Sequence, residues 1–251
     1  KKKPMLLESK IDFNNHQLEW EKMIFPEQIK PLKRSSSKIS FCCVFFDRPI
    51  FLKQLLLSLV PLDNFIEEIL IYVNLSDLSE SKILLKEIVD NPKIRLINGK
   101  KRLTPGGARN QLNKQAKSDY LCFIDDDNLI DFEVMRKILL SGKLEMWDII
   151  CSPLKKFSNT KMSSYRKVDL SPQEQHYAIE NLVETHWLPI GSNIALSLLE
   201  NTIGDCNFLI RRQHLEDIGG FNEALTYGED QELIIRSLSR GGRYHQILQC
   251  L

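Results

Sequence analysis

Tyr120-Leu121-Cys122-Phe123-Ile124-Asp125-Asp126-Asp127 is an apolar run of strand length that stops on three consecutive carboxylates. Aromatic and aliphatic residues dominate the run, which predicts a buried strand. Open α/β sheets hold ligands at the carboxyl ends of their strands, so the acidic cluster falls where such a sheet does its chemistry. Three adjacent like charges repel one another, and something positive is expected between them. A divalent cation with hard oxygen ligands is the obvious candidate. The plainer alternative is a solvated acidic turn before a helix, with Asp127 or Asn128 as its N-cap.

Upstream, Thr104-Pro105-Gly106-Gly107-Ala108-Arg109-Asn110-Gln111-Leu112-Asn113-Lys114-Gln115-Ala116 reads as a helix opened by a glycine pair. Ala108, Leu112 and Ala116 share one narrow face of it. Arg109 and Asn110 lie in the first turn, beside free backbone N–H groups where an anion can be held. Downstream, Ile218-Gly219-Gly220-Phe221 precedes Tyr227-Gly228-Glu229-Asp230, an acidic pair opening a helix over 231–240.

The remaining periodicity alternates strand and helix. Strands are predicted at 39–46, 68–74 and 94–97, with helices at 50–59 and 79–89 between them. This alternation implies a parallel sheet with helices on both faces. After the triplet come a helix near 132–144 and a strand at 147–153. Residues 154–188 are polar and irregular, with one helix near 172–184. Residues 1–37 form an N-terminal extension, ending in the polar linker Lys33-Arg34-Ser35-Ser36-Ser37-Lys38, and 38–251 form the main domain.

Composition excludes several classes. With 251 residues and 43% hydrophobic content the chain can bury a large core. A net charge of +1 and no basic face interleaved with aromatics give no reason to expect nucleic acid. Of six cysteines, Cys42, Cys43, Cys122, Cys151 and Cys206 lie in apolar, strand-like runs, where a free Cys packs as a small hydrophobe. The expected home is therefore the reducing cytosol, including a peripheral position at a membrane. No apolar run approaches the ~20 residues of a transmembrane span, and Lys1-Lys2-Lys3 is not followed by a signal-peptide core. The chain starts at Lys1 rather than Met, and is expected to be a piece of something longer.

Five landmarks fall in a specific order. They are the opening strand with Asp47-Arg48-Pro49, Ala108-Arg109-Asn110, the acidic triplet, Gly204-Asp205-Cys206-Asn207-Phe208-Leu209-Ile210-Arg211-Arg212, and Gly219-Gly220-Phe221 leading into Gly228-Glu229-Asp230. In this order and spacing, over roughly residues 38–247, the chain resembles family 2 glycosyltransferases of the GT-A fold. The resemblance implies an α/β nucleotide-diphospho-sugar transferase fold, with a mostly parallel central sheet flanked by helices. It also implies an inverting transfer of sugar from a nucleotide-diphosphate donor, a UDP-sugar by preference. The acceptor would be a hydroxyl on a saccharide, a lipid-linked or another compound.

That chemistry needs a departing diphosphate neutralised and a base for the attacking hydroxyl. Mn²⁺ or Mg²⁺ on Asp127 and Asp125 serves the first need. On an extended segment these two side chains point one way and Asp126 the other. The resemblance gives the last Asp to the metal and an earlier one to the ribose, so Asp125 and Asp126 also count as nucleotide contacts. It makes Asp230 the general base; the alternative is a helix N-cap beside a solvated Glu229.

Phe46 and Asp47 match positions near the base, with Asp47 where the family usually has Asn. Asn74-Leu75 replaces a common aspartate pair, so Asn74 or Asp77 is expected to substitute. Arg109 resembles a phosphate- or base-proximal arginine; an exposed, carboxylate-paired helix arginine is the alternative. Trp187 suits sugar stacking or the core, and His245, before the final strand, reads as structural. Two competitors remain: a degenerate GT-A domain that only binds sugar nucleotide or serves as scaffold, and a haloacid-dehalogenase-like phosphotransferase. The latter places its acidic motif on the first strand.

Overall fold

The computed structural model describes residues 38–46, 48–74, 91–99, 101–141, 144–152, 154–158, 183–187, 194–198, 201 and 206–247. Strand β1 (Ile39–Phe45) leads into helix α1 (Pro49–Leu59). Pro49 opens that helix, where a missing N–H costs nothing. A 3₁₀ turn, Val60–Phe65, then delivers β2 (Ile66–Val73), and β3 (Ile94–Asn98) follows. Helix α2 (Pro105–Gln115) is capped by Thr104, whose hydroxyl accepts from the Gly107 N–H at 3.2 Å. β4 (Tyr120–Asp125) carries the start of the acidic triplet, and α3 (Phe132–Leu140) is capped by Asp131. The chain continues through β5 (Ile149–Cys151), β6 (Leu154–Ser158), β7 (Val183–Trp187) and α4 (Ile194–Ser197). It closes with β8 (Phe208–Arg211), α5 (Arg212–Asp217), α6 (Glu229–Ser239) and β9 (Tyr244–Gln246).

Seven strands form one sheet in the order β3-β2-β1-β4-β8-β5-β9, and only β8 runs against the rest. This is the mostly parallel α/β sheet that the alternation predicts. The triplet begins at the end of the fourth described strand, behind β1, so the phosphotransferase alternative, which needs it on the first, does not fit.

Strand alternation feeds two cores. Phe41, Cys43 and Phe45 of β1 and Ile69, Ile71 and Val73 of β2 pack with Leu52, Leu55 and Leu59 of α1 and Met135 and Leu139 of α3. Cys42, Leu70, Tyr72, Leu121 and Phe123 face the other way, onto Ala108 and Leu112 of α2 and Leu233 and Ile234 of α6. A sheet buried on both faces reads as near-continuous apolar runs, which is why β4 lacks polar alternation. Small residues on α2 let that helix lie close to the sheet. Phe123, Phe208 and Phe221 meet with ring centroids 5.1 to 6.4 Å apart, and Phe221 thereby anchors the loop after α5 onto the strands beneath the site. Truncating one such fully buried ring costs about 3–5 kcal/mol. The cysteines Cys42, Cys43, Cys122, Cys151 and Cys206 are all buried. No described helix is long and apolar enough to cross a membrane.

Several local expectations differ from the structure. Residues 154–158 and 183–187 are not irregular but pair antiparallel, Leu154 opposite Trp187. Val183 and Glu184, placed at the end of a helix by the sequence reading, lie in β7, where β-branched Val183 and Thr185 alternate with polar neighbours. The rest of that expected helix, the helix at 79–89 and the extension 1–37 lie outside the described residues. The strand expected at 147–153 shortens to Ile149–Cys151, because the Trp147 N–H bonds back to Leu144 and Asp148 is taken up by Arg243. His245 lies inside the final strand rather than before it, its ring stacked on Trp147 at 4.7 Å.

Asp148 ties the far edge of the sheet together. Its carboxylate accepts from the Arg243 N–H at 2.9 Å and from Arg243 Nε and Nη2 at 3.0 and 2.9 Å. These bonds hold its pKa down at about 2, although burial opposes them. A carboxylate with a depressed folded pKa stabilises above its unfolded value, near 4, and that stabilisation disappears as pH falls toward 2. Asp148→Asn is therefore expected to lower unfolding free energy by about 1–2 kcal/mol at pH 7, discounted because half-exposed Arg243 is screened by solvent. Urea denaturation at falling pH should show the two proteins converging between pH 4 and 2. A difference that persists at pH 2 would contradict this assignment.

Candidate active site at the carboxyl edge of the sheet

The triplet straddles the end of β4. Asp125 is its last strand residue, and a turn closed by the Asn128 N–H on the Asp125 carbonyl at 3.1 Å carries Asp126 and Asp127. The extended geometry expected for all three therefore holds only for the first. Neither Asp127 nor Asn128 caps the next helix; Asp131 does, accepting from the Val134 N–H at 3.1 Å.

Each carboxylate has a separate partner. Asp126 is fully buried and accepts from the Phe46 backbone N–H at 2.9 Å, which fixes the turn against the end of β1. Arg48 pairs with Asp126 through Nη2 and with Asp127 through Nη1. Burial pushes Asp126 up to about 6, against the Phe46 N–H and Arg48, which favour its charged form. Asp125 accepts from Arg109 Nη2 at 2.9 Å. The positive charge that the triplet requires comes from two arginines on different elements.

Arg109 is not exposed. It is buried between Asp125 and Glu229, with its guanidinium 5.6 Å above the Phe221 ring centroid. Burial disfavours its charge, but Cys206, Asp125 and Glu229 outweigh that and raise its pKa above the usual arginine value. Glu229 is accordingly a buried ion-pair partner, not a solvated neighbour of Asp230. Glu229 opens α6 behind Gly228, whose left-handed backbone forms the N-cap, so Asp230 lies inside the first turn. Asp230 is half-buried and accepts from the Gln231 N–H at 2.8 Å; its negative charge helps hold up the Cys151 thiol at the carboxyl end of β5, which burial pushes to about 12.

The start of α2 packs against the loop after α5. A Cβ on Gly106 would come within 3.0 Å of the Asn222 carbonyl, so only glycine lets that loop lie on the helix. Asn110 clasps the same loop, donating to the Phe221 carbonyl at 2.9 Å and accepting from its N–H at 2.8 Å. Gly220, at φ 73°, brings its backbone so near Asn110 that a Cβ would lie 2.7 Å from Oδ1.

Among the expected nucleotide contacts, Phe46 stands at the end of β1, partly exposed, with the Arg102 guanidinium 4.4 Å from its ring centroid. Asn74 is buried and exchanges both carboxamide groups with the Leu103 backbone at 2.8 and 2.9 Å, so it braces the approach to α2. Asp47 and Asp77 lie outside the described residues. The structure thus gathers Phe46, Arg109, Asp125, Asp126 and Asp127 at one edge, with Asp230 tied to them through Glu229. Arg48, Arg102 and Glu229 were not identified from sequence.

The model of glycosyl transferase family 2 matches residues 40–219. No curated protein matches the sequence. Among solved structures, S. aureus TarS 1–349 is similar at 18% identity and TM-score 0.56, covering 84% of this chain and 58% of that one. The same protein in complex with UDP-GlcNAc is similar at 19% and 0.58, and in complex with UDP at 19% and 0.59, covering 84% of this chain and 56% and 57% of those chains. This chain thus spans less than two thirds of those it matches.

Breaking a buried pair leaves an uncompensated charge, so Arg109→Met should destabilise by about 3–5 kcal/mol in urea denaturation. Adding Glu229→Gln should recover at least about 1 kcal/mol by removing one stranded carboxylate. A single-variant loss below that size would show that Arg109 does not hold the two carboxylates together.

Proposed function

The chain belongs to glycosyl transferase family 2, and from that premise we propose that it moves a sugar from a UDP-sugar to an acceptor hydroxyl with inversion at the anomeric carbon. One observation carries the reading: buried Arg109 bonds to the last residue of β4 and to the first of α6, so the helix that carries Asp230 starts at the edge of the sheet where the acidic triplet lies. UDP and UDP-GlcNAc in the TarS complexes support uracil as the base, on a fold like this one.

The residues fit a divalent cation. Four carboxylates, Asp125, Asp126, Asp127 and Glu229, face the two guanidiniums of Arg48 and Arg109, leaving a formal excess of two negative charges. No group of three His, Cys, Asp or Glu side chains converges to hold a metal among the described residues. That suits Mg²⁺ or Mn²⁺ held by one or two carboxylates together with the phosphates it arrives with. Asp127, the most exposed of the triplet, and Asp125 would hold it, and when bound it would neutralise charge on the departing diphosphate.

The chain's own residues supply the rest. Phe46 offers a partly exposed ring at the end of β1 for the base. Asp126 holds the turn against Phe46 and so fixes the height of Asp127. Arg109 and Glu229 fix the first turn of α6, and with it the direction of Asp230. Asp230 takes the proton of the attacking hydroxyl as that oxygen displaces UDP from the opposite face, a single displacement that inverts the centre. The acceptor is a saccharide, lipid-linked or other hydroxyl compound.

Calorimetry with Mn²⁺ should rank UDP ahead of GDP and ADP, and excess chelator should abolish turnover. Asp127→Ala should weaken UDP binding more than Asp126→Ala does. Asp230→Asn should keep UDP affinity while transfer falls by about 10²–10⁴-fold. Near wild-type transfer by that variant would remove Asp230 from the chemistry; GDP ranked first would redirect the search for the donor.

A further inference from the structure

Arg48 stands at the mouth of the site, at the N-cap of α1 directly before Pro49. Its side chain is 40% exposed, against 6% for Arg109. The two arginines therefore differ in kind: one is sealed between carboxylates, the other can move. Arg48 reaches two acids of unequal mobility. Asp126 is fully buried and held by the Phe46 N–H, whereas Asp127 is 40% exposed on the turn. Arg48 Nε is buried and has no hydrogen-bond acceptor, so the present pairing leaves one donor unused.

Arg48 Nη1 bonds Asp127 Oδ2, on the carboxylate that the proposed reading gives to the metal. A guanidinium and a divalent cation cannot both occupy that oxygen at bonding distance. If Asp127 turns to a cation, Arg48 stays anchored through Nη2 to Asp126, and both N–H groups of Nη1 are left to donate. A planar guanidinium with two free N–H groups matches two phosphate oxygens.

We propose that Arg48 is an exchangeable counter-ion of the acidic turn. Without donor it neutralises Asp127. When the nucleotide arrives with its cation, Asp127 passes to the cation and the freed N–H groups of Arg48 pass to the diphosphate. The inference rests on the UDP-sugar reading of the site. It makes the cation and the nucleotide bind cooperatively, because each removes a cost that the other alone would meet. No bond is made or broken in the exchange.

Arg48→Met separates this role from simpler ones, since the exchange gives its two readouts opposite signs. Mn²⁺ alone, titrated against the free protein by electron paramagnetic resonance, should bind about two- to fivefold more tightly to the variant, because nothing competes for Asp127. UDP, titrated calorimetrically in saturating Mn²⁺, should bind about tenfold or more weakly, because the diphosphate has lost its guanidinium. Arg48→Lys, which keeps the charge but not the fork, should fall between wild type and Arg48→Met on both readouts. Loss of affinity for both ligands in the two variants would mean that Arg48 only holds the turn in shape, and would overturn the proposal. Unchanged Mn²⁺ affinity with weakened UDP would make Arg48 a plain phosphate ligand and overturn it equally. Wild-type protein that binds neither Mn²⁺ nor UDP would instead defeat the reading of the site itself.

Discussion

Four carboxylates crowd the carboxyl edge of one sheet, and the rest of the site is arranged by how two arginines hold them. Unit charges at contact distance near a protein surface interact by about 4 kcal/mol, so three consecutive aspartates cannot stand without counter-charges. Arg109 comes from the second turn of α2 and Arg48 from the junction of β1 and α1. Meeting that demand fixes three elements at once. Helix α2 must present Arg109 to the end of β4. The β1–α1 junction must bring Arg48 and the Phe46 N–H over the turn. Helix α6 must begin where Glu229 can take the other side of Arg109. The glycines at 106 and 220 follow from the same demand, because the loop between α5 and α6 can only reach α2 where a Cβ is missing.

The two arginines divide the site into a fixed half and a movable half. Arg109 and Glu229 are buried against Phe221 and the sheet, with Asp125 partly exposed at their edge, and a buried ion pair of this kind specifies position more than it adds stability. That half aligns the helix carrying Asp230. Arg48 and Asp127 lie at the surface, where an ion pair contributes little and is easily exchanged. A transferase needs both kinds of group: a base held in one direction, and a binding edge that reorganises when a charged donor enters.

Much of this was legible in the sequence. The strands were, because β1, β2 and β4 are buried on both faces and show as uninterrupted apolar runs. The small-residue face of α2 was, because Ala108 and Leu112 repeat at helical spacing. The partners of the charges were not. Arg109 lies 120 residues from Glu229, Arg48 lies 79 from Asp127, and Phe46 lies 80 from Asp126. Periodicity over a dozen residues carries no information about such pairs. For that reason an exposed Arg109 and a solvated Glu229 stood as alternatives in the sequence. The buried exchange of Asn74 with the Leu103 backbone was invisible for a similar reason, since it involves no local pattern. The start of α6 was displaced because Gly228 serves as N-cap in a left-handed conformation without a capping side chain. The β6–β7 pair was missed because its strands are far apart in sequence and only five residues each.

The central claim is that this edge of the sheet carries out a single inverting displacement at the anomeric carbon of a UDP-sugar. Its most direct test is a proton NMR time course of a panel of α-linked UDP-sugars incubated with the protein and Mn²⁺, with water as the acceptor. The account predicts that one donor is consumed to UDP and free sugar, and that the β-anomer appears first and mutarotates only afterwards. First appearance of the α-anomer, or no consumption of any UDP-sugar, would contradict it.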